Sequence, residues 1–591
     1  MKSEIKTCQN CKNRFTIEPE DFAFYEKIKV PPPTWCPECR IVRRLAWRNE
    51  RTLYRRKCAA TGKDILSMFN PQSPFVVYEH GYWWSDQWDQ MKTGRDYDFS
   101  RPFFIQFREL LETQPLPNVA NSNAVNSEYC NHSHAAKNCY LVFGASENEN
   151  VAYASGPVQC KDSYDLYLTL KVERGYEILT SSGLFSCAFA QDSDDSFNSR
   201  FLYSCLDVND SFGCVNLRNK AHQFFNQAYT KQAYEAEMRK IDLGSYRVLL
   251  EYSNKFSEFI LRYPRRHGAL IKCVATTGDN AMNTKNCKSC FDSYGNVEDS
   301  KFLIHAVDAK DSYDCYGVGV GAELMYEGVD NGLKAARNSF SVFTHSCRDV
   351  YYTYGCQNSS RLFGCVGLRN KQYCILNKQY SKEEYEKLVA EIIAHMNAMP
   401  YIDKKGRKYL FGEFFPPEIS PFAYNESIAQ EYFSLTPESA ERNGYRWQTA
   451  EKKDYGITKE SGDLPDHIRD VSDSILHEAI TCAHHGECMH QCSTAFRIIP
   501  DELNFYRKMN LPLPRLCSNC RHYARLVKRN PFRLWHRRCQ CIGGNSENAV
   551  YKNQTPHSHG STHCPNEFET SYAPDRKEIV YCEECYQAEV T

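Results

Sequence analysis

Two stretches near opposite ends of the chain each carry two closely spaced pairs of cysteines. The first stretch contains Cys8, Cys11, Cys36 and Cys39, and the second contains Cys488, Cys492, Cys517 and Cys520. Paired thiolates at CxxC or CxxxC spacing, brought together by an intervening hairpin, hold zinc in tetrahedral geometry. The spacing therefore predicts one structural Zn²⁺ in each stretch.

The two stretches are copies of one module. Residues 11–49 align on residues 492–530 without a gap, with 16 identities in 39 positions. A repeated pair of pairs is a much more specific signal for a zinc ribbon than a single CxxC.

In both copies the last cysteine pair opens a predicted helix that carries a row of basic residues. At about 100° per residue, the basic side chains of the first helix fall within an arc of roughly 140°, opposite an apolar side. The candidate nucleic-acid-binding residues are Arg40, Arg43, Arg44, Arg48, Arg51, Arg55, Arg521, Arg525, Lys528 and Arg529. Planar guanidinium groups grip phosphate oxygens in pairs, so the two rows predict binding to a polyanion. The simpler alternative is a solvated basic face.

A third metal module is predicted in the last stretch of the sequence. Its candidate ligands are Cys541, Cys564, Cys582 and Cys585, with the fourth position open between Cys541, Cys539 and a histidine of the HSHGSTHC segment. A catalytic zinc needs an open coordination position and a nearby base. Glu583 and Glu584 lie inside the last cysteine pair, which is a poor place for a base, so a structural site is favoured.

Length and composition exclude several classes of protein. With 591 residues, 42% hydrophobic and 25% charged, and a net charge of −1, the chain is expected to form several globular domains. No apolar run approaches the roughly 20 residues of a membrane span, and the segment MKSEIKTC lacks a signal-peptide core. We therefore expect a cytoplasmic protein without a membrane partner, whose 29 cysteines stay reduced.

The middle of the chain is a duplicated repeat. Residues 212–235 recur at 363–386 with 13 identities in 24 positions. Small residues recur every 24 positions beside aromatic residues, at Cys139, Ser163, Cys187 and Ser211. This period and the Asn/Asp/Gly turns predict a β-solenoid with a coil of about 24 residues, whose interior is filled by small side chains. The alternative for the central cysteines is a set of redox or iron–sulfur thiols.

Together these signals predict a mainly β fold. A duplicated central β-solenoid, similar to a parallel β-helix and closed by capping helices, is flanked by four-cysteine zinc ribbons that are each followed by a basic helix. The predicted segments are 1–57 (zinc ribbon 1 and basic helix), 58–117 (aromatic-rich connecting module), 118–262 (solenoid half 1 with capping helix), 263–399 (solenoid half 2 with capping helix), 400–475 (aromatic and charged connector), 476–535 (zinc ribbon 2 and basic helix) and 536–591 (zinc module 3).

Four blocks of sequence carry a resemblance to a group of known sequences: CKNRFTIEPEDFAFYEKIKVPPPTWCPECR, WWSDQWD, FGCVNLRNK and CPNEFETSYAPDRKEIVYCEECY. In these blocks the protein resembles an uncharacterised family of multi-zinc-ribbon, solenoid-containing proteins from small-genome bacteria of the candidate phyla radiation. The resemblance spans nearly the whole chain. The resemblance implies a bacterial cytoplasmic setting and no particular reaction.

The leading functional hypothesis from the sequence is a non-enzymatic, zinc-dependent nucleic-acid-binding protein, with structured RNA or the ribosome as the preferred partner. The first alternative is a protein-interaction scaffold, whose protein partner binds the surface of the β-solenoid. The remaining alternatives are a DNA-binding protein and an enzyme of unknown chemistry, although no nucleophile with a partner base is recognisable.

Overall fold

The chain divides into two compact units, each built from two separate segments. A computed structural model describes residues 2–590 except 128, 147, 150, 154, 156–176, 182, 318, 320 and 450–454. Unit 1 comprises Met1–Ala120 and Gly268–Thr449, and unit 2 comprises Asn121–His267 and Ala450–Thr591. The described residues contain helices as well as many short strands, so the fold is mixed α/β and the mainly β prediction holds only in part.

The helices are short, and several begin at side-chain caps. The α-helices of the described residues are Pro19–Lys27, Pro37–Leu45, His80–Trp84, Phe103–Thr113, Lys231–Met238, Tyr246–Ile260, Lys382–Ala398, Ile428–Tyr432, Pro437–Arg442, Pro500–Met509, Ser518–Leu526 and Glu583–Val590. Short 3₁₀ turns lie at Pro417–Ile419, Tyr424–Glu426, Ser461–Asp463, Ile468–Asp470 and Asp473–His477. Thr230 caps one helix, and Ser381 forms a capping box with Glu384 on another. Among the described helices, none has both the length and the apolar character needed to cross a membrane.

Four antiparallel hairpins share one local design. Their strand pairs are Glu4–Thr7 with Arg14–Ile17, Tyr54–Lys57 with Asp64–Ser67, Ile480–Thr481 with Ala495–Phe496, and Trp535–Arg538 with Glu567–Thr570. In each hairpin the residue directly after the first strand is a cysteine: Cys8, Cys58, Cys482 and Cys539. The hairpin turn therefore presents a thiol at the same position four times.

Unit 2 contains a ladder of short parallel strands. These are Ala188–Gln191, Arg200–Tyr203, Leu206–Asn209, Phe212–Val215, Arg218–Ala221 and Gln223–Phe224, closed by the antiparallel Gln227–Ala228. Paired strands keep a constant sequence separation of 12, as in Ala188↔Arg200, Leu206↔Arg218 and the hydrogen bond from Ser193 N to Ser181 Oγ. Isolated bridges with the same separation also occur from Ser122↔His134 to Phe143↔Ser155 and again from Leu179↔Gln191.

Unit 1 contains a second parallel ladder. Its strands are Leu270–Ile271, Gly278–Met282, Thr284–Lys285, Cys290–Ser293, Val297–Glu298, Ala309–Lys310, Tyr313–Tyr316, Ala322–Glu323, Tyr326–Val329, Ala336–Val342, Arg348–Tyr354, Ser360–Phe363 and Gln372–Ile375, ending with the antiparallel Lys378–Gln379. The sequence separation is 13 around Tyr313↔Tyr326 and 12 around Ala336↔Arg348. Three small sheets complete the described strands: Val77–Tyr78 with Leu116–Pro117, Arg265–Arg266 with Val580–Tyr581, and Tyr401–Ile402 with Lys408–Tyr409.

A three-residue rhythm explains the composition of the ladders. A residue with left-handed backbone recurs every third position, as at Asp192, Asp195 and Asn198, and Asp and Asn tolerate this conformation. The next residue along the chain is buried, as at Ser193 and Ser196. Small side chains therefore fill the interior of the ladder.

The sequence separation of 12 between paired strands corrects the predicted coil of about 24 residues, which is twice as long as the observed repeat. Between Cys187 and Ser211 the ladder places Ser199 at the equivalent buried position, and Val151 follows Cys139 in the same way. The longer pattern therefore counted only every second repeat of the ladder. The predicted marker Ser163 lies outside the described residues.

Cysteines of the central ladders pack as core residues. Cys187, Cys205 and Cys214 are buried with alanine, leucine and valine side chains, and Cys287 and Cys290 lie in a similar cluster. Burial raises the pKa of both Cys187 and Cys205 to about 11. The Cys187 and Cys205 thiols therefore stay protonated at neutral pH, which disfavours redox or metal chemistry at these two residues.

Candidate metal centres

The first predicted cysteine group is assembled as expected. Cys8 and Cys11 lie in the turn of the first hairpin, while Cys36 is the N-cap of helix Pro37–Leu45 and Cys39 lies in its first turn. The four Sγ atoms lie within 4.8 Å of one another, and the Cys11–Cys36 Sγ distance is 3.7 Å. A tetrahedral metal with metal–sulfur bonds of about 2.3 Å has sulfur–sulfur edges of about 3.8 Å. The group can therefore hold one metal ion.

Hydrogen bonds to sulfur orient this group. The backbone N–H of Cys36 donates to Cys8 Sγ at 3.2 Å, and Asn10 Nδ2 donates to Cys39 Sγ at 3.2 Å. The neighbouring Cys36 and Cys39 thiols lower the pKa of Cys8 well below its usual range. The same contacts raise the pKa of Cys36 and of Cys39, so the hydrogen bonds donated to Cys8 and Cys39, rather than the thiol pKa values, favour the thiolate form that binds a metal ion.

The second group differs from the prediction by one ligand. It consists of Cys482, Cys492, Cys517 and Cys520. The predicted ligand Cys488 is replaced by Cys482, which directly follows the first strand of its hairpin as Cys8 does. Nine residues separate Cys482 from Cys492, whereas two separate the first pair of the first module. The short Cys488–Cys492 spacing resembles the ligand pair of a single site, but the structure places Cys488 in a neighbouring potential metal group that shares Cys520 with this one.

The third group contains Cys539 at the ligand position that the sequence left open between Cys541, Cys539 and a histidine. It consists of Cys539, Cys564, Cys582 and Cys585, all of them buried. Cys539 takes the place predicted for Cys541, and the Cys564–Cys582 Sγ distance is 3.8 Å. The structural reason is again the hairpin, because Cys539 directly follows the strand Trp535–Arg538.

One backbone contact is common to all three groups. The cysteine at the start of each second pair donates its N–H to the first thiol: Cys517 to Cys482 at 3.3 Å and Cys582 to Cys539 at 3.2 Å. The first module makes the same contact between Cys36 and Cys8. Each centre is therefore built by one hairpin turn and one helix N-terminus, where the helix dipole favours negative charge.

A fourth hairpin keeps this design without the remaining thiols. Cys58 aligns with Cys539 when the ungapped alignment of the two modules is continued, and it accepts a hydrogen bond from Glu79 N–H at 3.2 Å. Thr61 stands three residues after Cys58, where the first module has a cysteine. Among the described residues, Cys58 belongs to no potential metal group.

Two further groups lie beside the second and third centres, and the sequence analysis missed both. The first contains His484, Cys488, His490 and Cys520, and the second contains Cys541, His557, His559 and Cys585. Cys520 and Cys585 thus belong to two groups each. The available signals were the short motifs CAH at residues 482–484, CQC at 539–541 and HSH at 557–559.

Most of the basic residues predicted to face solvent are buried. Arg40, Arg43, Arg44, Arg48, Arg51, Arg521 and Arg525 are each 0–5% exposed. Arg55 and Lys528 are exposed, and Arg529 is half-buried. The prediction that the rows point to water is therefore wrong at seven of ten positions, and a buried guanidinium cannot reach the phosphate of a partner.

In unit 1 the arginines of helix Pro37–Leu45 form ion pairs with the parallel ladder. Arg40 Nη2 and Arg44 Nη1 lie 2.8 and 2.9 Å from the two carboxylate oxygens of Asp314. Arg43 Nη2 lies 2.6 Å from Glu327 Oε1. Asp314 and Glu327 occupy equivalent positions on successive strands, since Tyr313 pairs with Tyr326. The row of arginines therefore faces a matching row of carboxylates.

Further contacts complete the buried network. Arg43 Nη1 lies 2.8 Å from Glu413 Oε2, and its guanidinium stacks 4.5 Å from the centre of the Trp35 ring. Burial alone would lower the pKa of Arg43, but the carboxylates of Glu327 and Glu413 raise it well above its usual value. The arginine stays charged because its compensating charges are buried with it.

The helix Pro19–Lys27 of the same module carries the opposite charge. Asp21 Oδ1 lies 2.5 Å from Lys301 Nζ, and Glu20 Oε1 lies 3.0 Å from both Lys301 and Lys288. Acidic side chains of one helix thus meet lysines of the ladder, while the arginine helix meets carboxylates. The module is held in one orientation by charges of both signs.

In unit 2 the equivalent arginine is paired within its own module. Arg521 Nη1 lies 3.1 Å from Glu502 Oε1, and Glu502 also accepts hydrogen bonds from Tyr506 and Tyr153. Lys528 Nζ lies 3.5 Å from a carboxylate oxygen of Glu177. The basic row of the second module is therefore also engaged internally, with a different set of partners.

The predicted basic helices are longer than the observed ones. Helix Pro37–Leu45 ends before Arg48, Arg51 and Arg55, and helix Ser518–Leu526 ends before Lys528 and Arg529. After the first helix, the Asn49 side chain binds both backbone groups of Thr52 and donates to Met68 O at 2.8 Å. This local turn directs the chain into the next hairpin instead of a further helical turn.

No protein-family model matches the chain, and no curated protein is significantly similar to it. What the centres can do follows from their own ligands. Each group supplies four sulfur or nitrogen donors from the protein, which is the ligand set of a closed, structural metal site.

Proposed function

We propose that the protein is a non-enzymatic, zinc-dependent interaction scaffold, in which ribbons closed by zinc are locked onto a β-solenoid. The observation that carries this proposal is the burial of the arginine rows in ion pairs. These arginines bind carboxylates inside the protein and so help to hold the modules in place. An exposed row would have favoured a phosphate-bearing partner.

Zinc is the metal that best suits the donor sets. Thiolate and imidazole ligands in tetrahedral groups favour Zn²⁺ over magnesium or calcium, which prefer oxygen ligands. Catalytic zinc keeps one position open for water or substrate, whereas four protein ligands close each of these groups. The ligand count therefore supports a structural role.

The parallel ladders support the solenoid part of the proposal. A short, nearly constant separation between paired strands and a small-residue interior are typical of a chain that winds into stacked coils. Such stacks offer long, rigid surfaces on which a protein partner can bind. Phe185 and Phe197 illustrate the kind of contact available, since they stack at 5.3 Å and are 38% and 45% exposed.

Nucleic-acid binding is the second candidate. Three of the ten predicted contact residues retain access to solvent, namely Arg55, Lys528 and Arg529. This candidate requires that these side chains, rather than the buried arginines, make the phosphate contacts. Structured RNA or the ribosome remains its preferred partner, ahead of DNA.

Charge reversal distinguishes the two candidates. The scaffold proposal expects Arg44→Glu or Arg525→Glu to disrupt folding, since each would bury a new negative charge, while the triple variant R55E/K528E/R529E folds normally. We expect wild type and the triple variant to capture the same protein partner from nuclease-treated lysate at high salt.

Titration with structured RNA tests the nucleic-acid candidate. A binder that engages about three phosphates loses between about one and two orders of magnitude in affinity between 50 and 200 mM salt. Tight RNA binding with that salt dependence, abolished in R55E/K528E/R529E, would replace the scaffold proposal with the nucleic-acid one.

A further inference from the structure

The second and third modules each bring seven potential ligands together around one shared thiol. In the second module, Cys520 belongs to the four-cysteine group and also to the group with His484, Cys488 and His490. In the third module, Cys585 has the same double membership, with Cys541, His557 and His559 as the neighbours. A thiolate sulfur has several lone pairs, so one cysteine can bind two metal ions at once.

We infer that these two modules each hold a dinuclear metal cluster bridged by a single thiolate, Cys520 in one and Cys585 in the other. The first module holds one ion, so the three modules together bind five metal ions. The inference rests on the metal-binding part of the proposed function and adds the nuclearity of each centre.

Distances around the shared sulfurs fit this assignment. Cys520 Sγ lies 3.6 Å from Cys488 Sγ, close to the sulfur–sulfur edge of about 3.8 Å expected around one zinc ion. Cys585 Sγ lies 3.4 Å from His559 Nε2, and Cys541 Sγ lies 3.6 Å from His557 Nδ1. A mixed sulfur–nitrogen edge is about 3.6 Å for the usual zinc bond lengths.

The histidines of the third module are oriented by partners on the far side of each ring. His557 Nε2 contacts the buried carboxylate of Glu589 at 2.9 Å, which leaves Nδ1 directed toward Cys541. His559 Nδ1 contacts Thr562 O at 2.7 Å, which leaves Nε2 directed toward Cys585. Metal-binding histidines are commonly held in this way by a carboxylate or a carbonyl.

The histidines of the second module carry unpartnered buried atoms. His484 Nδ1 and His490 Nδ1 are both buried and make no hydrogen bond among the described residues. A buried polar nitrogen without a partner is energetically costly unless something binds it. A metal ion shared with Cys488 and Cys520 would satisfy both nitrogens.

The first module shows why it holds only one ion. The residue two positions after the first cysteine is Asn10 there, His484 in the second module and Cys541 in the third. Asn10 Nδ2 donates to Cys39 Sγ at 3.2 Å, and Cys39 occupies the position of the bridging cysteines. A hydrogen-bond donor thus takes the place that a second metal ion takes in the other two modules.

Metal analysis of the full chain tests the inference with neighbouring histidines as controls. Wild type should contain five zinc ions. His484→Asn and His559→Asn should each contain four zinc ions. The control changes His485→Asn and His563→Asn should leave five, because His485 and His563 belong to neither group. In the wild-type protein loaded with ¹¹³Cd, two pairs of mutually coupled resonances and one uncoupled resonance should appear.

The outcomes separate the inference from the function on which it rests. Three ions in wild type, with no coupling between cadmium resonances, would overturn the dinuclear assignment and leave the zinc ribbons in place. No bound metal at all would contradict both. The wild-type cadmium spectrum decides the nuclearity even if a histidine variant fails to fold.

Discussion

The first and second four-cysteine modules share their cysteine framework and differ in the residues that surround it. Both place one thiol after a short strand and two more at the start of a helix, with identical spacing between Cys11–Cys36 and Cys492–Cys517. One module has Asn10 where the other has His484. The cysteine framework is therefore common to both modules, and we propose that single neighbouring positions set the number of metal ions that each module binds.

The arginine rows of the two modules also occupy aligned positions and have different partners. Arg40 and Arg521 are aligned residues on equivalent helices, yet Arg40 pairs with Asp314 of the ladder and Arg521 pairs with Glu502 of its own module. Asp21, which aligns with Glu502, binds Lys301 instead. The same basic positions therefore support two different internal networks.

The largest expected effect comes from comparing two aligned cysteines, Cys539, which belongs to a potential metal group, and Cys58, which does not. Cys539→Ser should release metal and unfold the third module, because structural zinc contributes about 10 kcal/mol or more of apparent folding free energy in small zinc domains. Cys58→Ser, at the aligned position, should retain all metal and change the free energy of unfolding by only about 1 kcal/mol. Zinc content and thermal unfolding of both variants measure the contrast. Equal metal loss in the two variants would show that Cys58 is also a ligand.

A smaller difference is expected between the two arginine networks. Arg43→Ala leaves Glu327 and Glu413 buried without their shared partner, and we expect a loss of about 3–5 kcal/mol. Arg521→Ala should cost less, because Glu502 keeps hydrogen bonds from two tyrosines. Exposed Arg55→Ala is the control and should stay within about 0.5 kcal/mol. Urea unfolding gives the order; an Arg43→Ala value equal to the control would contradict the buried network.

The smallest expected effect is a pH dependence confined to unit 1. Burial raises the pKa of Glu431 to about 7, although Arg51 and Arg48 partly oppose this. The folded protein then binds this proton more tightly than the unfolded chain, so the free energy of unfolding should fall as pH rises toward 8. We expect a contribution of about 1 kcal/mol between pH 6 and pH 8. Unfolding of Glu431→Gln should lack this contribution, and an unchanged slope would assign the effect to another group.

Local patterns in the sequence predicted the parts of the fold that depend on neighbouring residues. The thiols Cys8, Cys11, Cys36 and Cys39 were identifiable because their short spacings reflect one turn and one helix start. The N-caps Thr230 and Ser381 could be predicted for the same reason.

Local sequence patterns do not predict contacts between residues that are far apart in the chain. The arc of arginines suggested a solvated face because helical periodicity shows which residues share a side and not what covers that side. Asp314 and Glu327 lie more than 250 positions away in the chain, so no local pattern links them to Arg43 or Arg44. Cys482 could not be paired with Cys492 by spacing, because nine residues separate them where two separate Cys8 from Cys11.

Zinc-edge anomalous diffraction from crystals of the full-length protein is the most direct test of the central claim that closed, internally locked zinc modules build this molecule. The account predicts one isolated peak at the Cys8 group and two adjacent peaks beside each of Cys520 and Cys585. An absence of peaks at the four-cysteine groups, or a zinc ion bound by only three protein ligands and open to solvent, would contradict it.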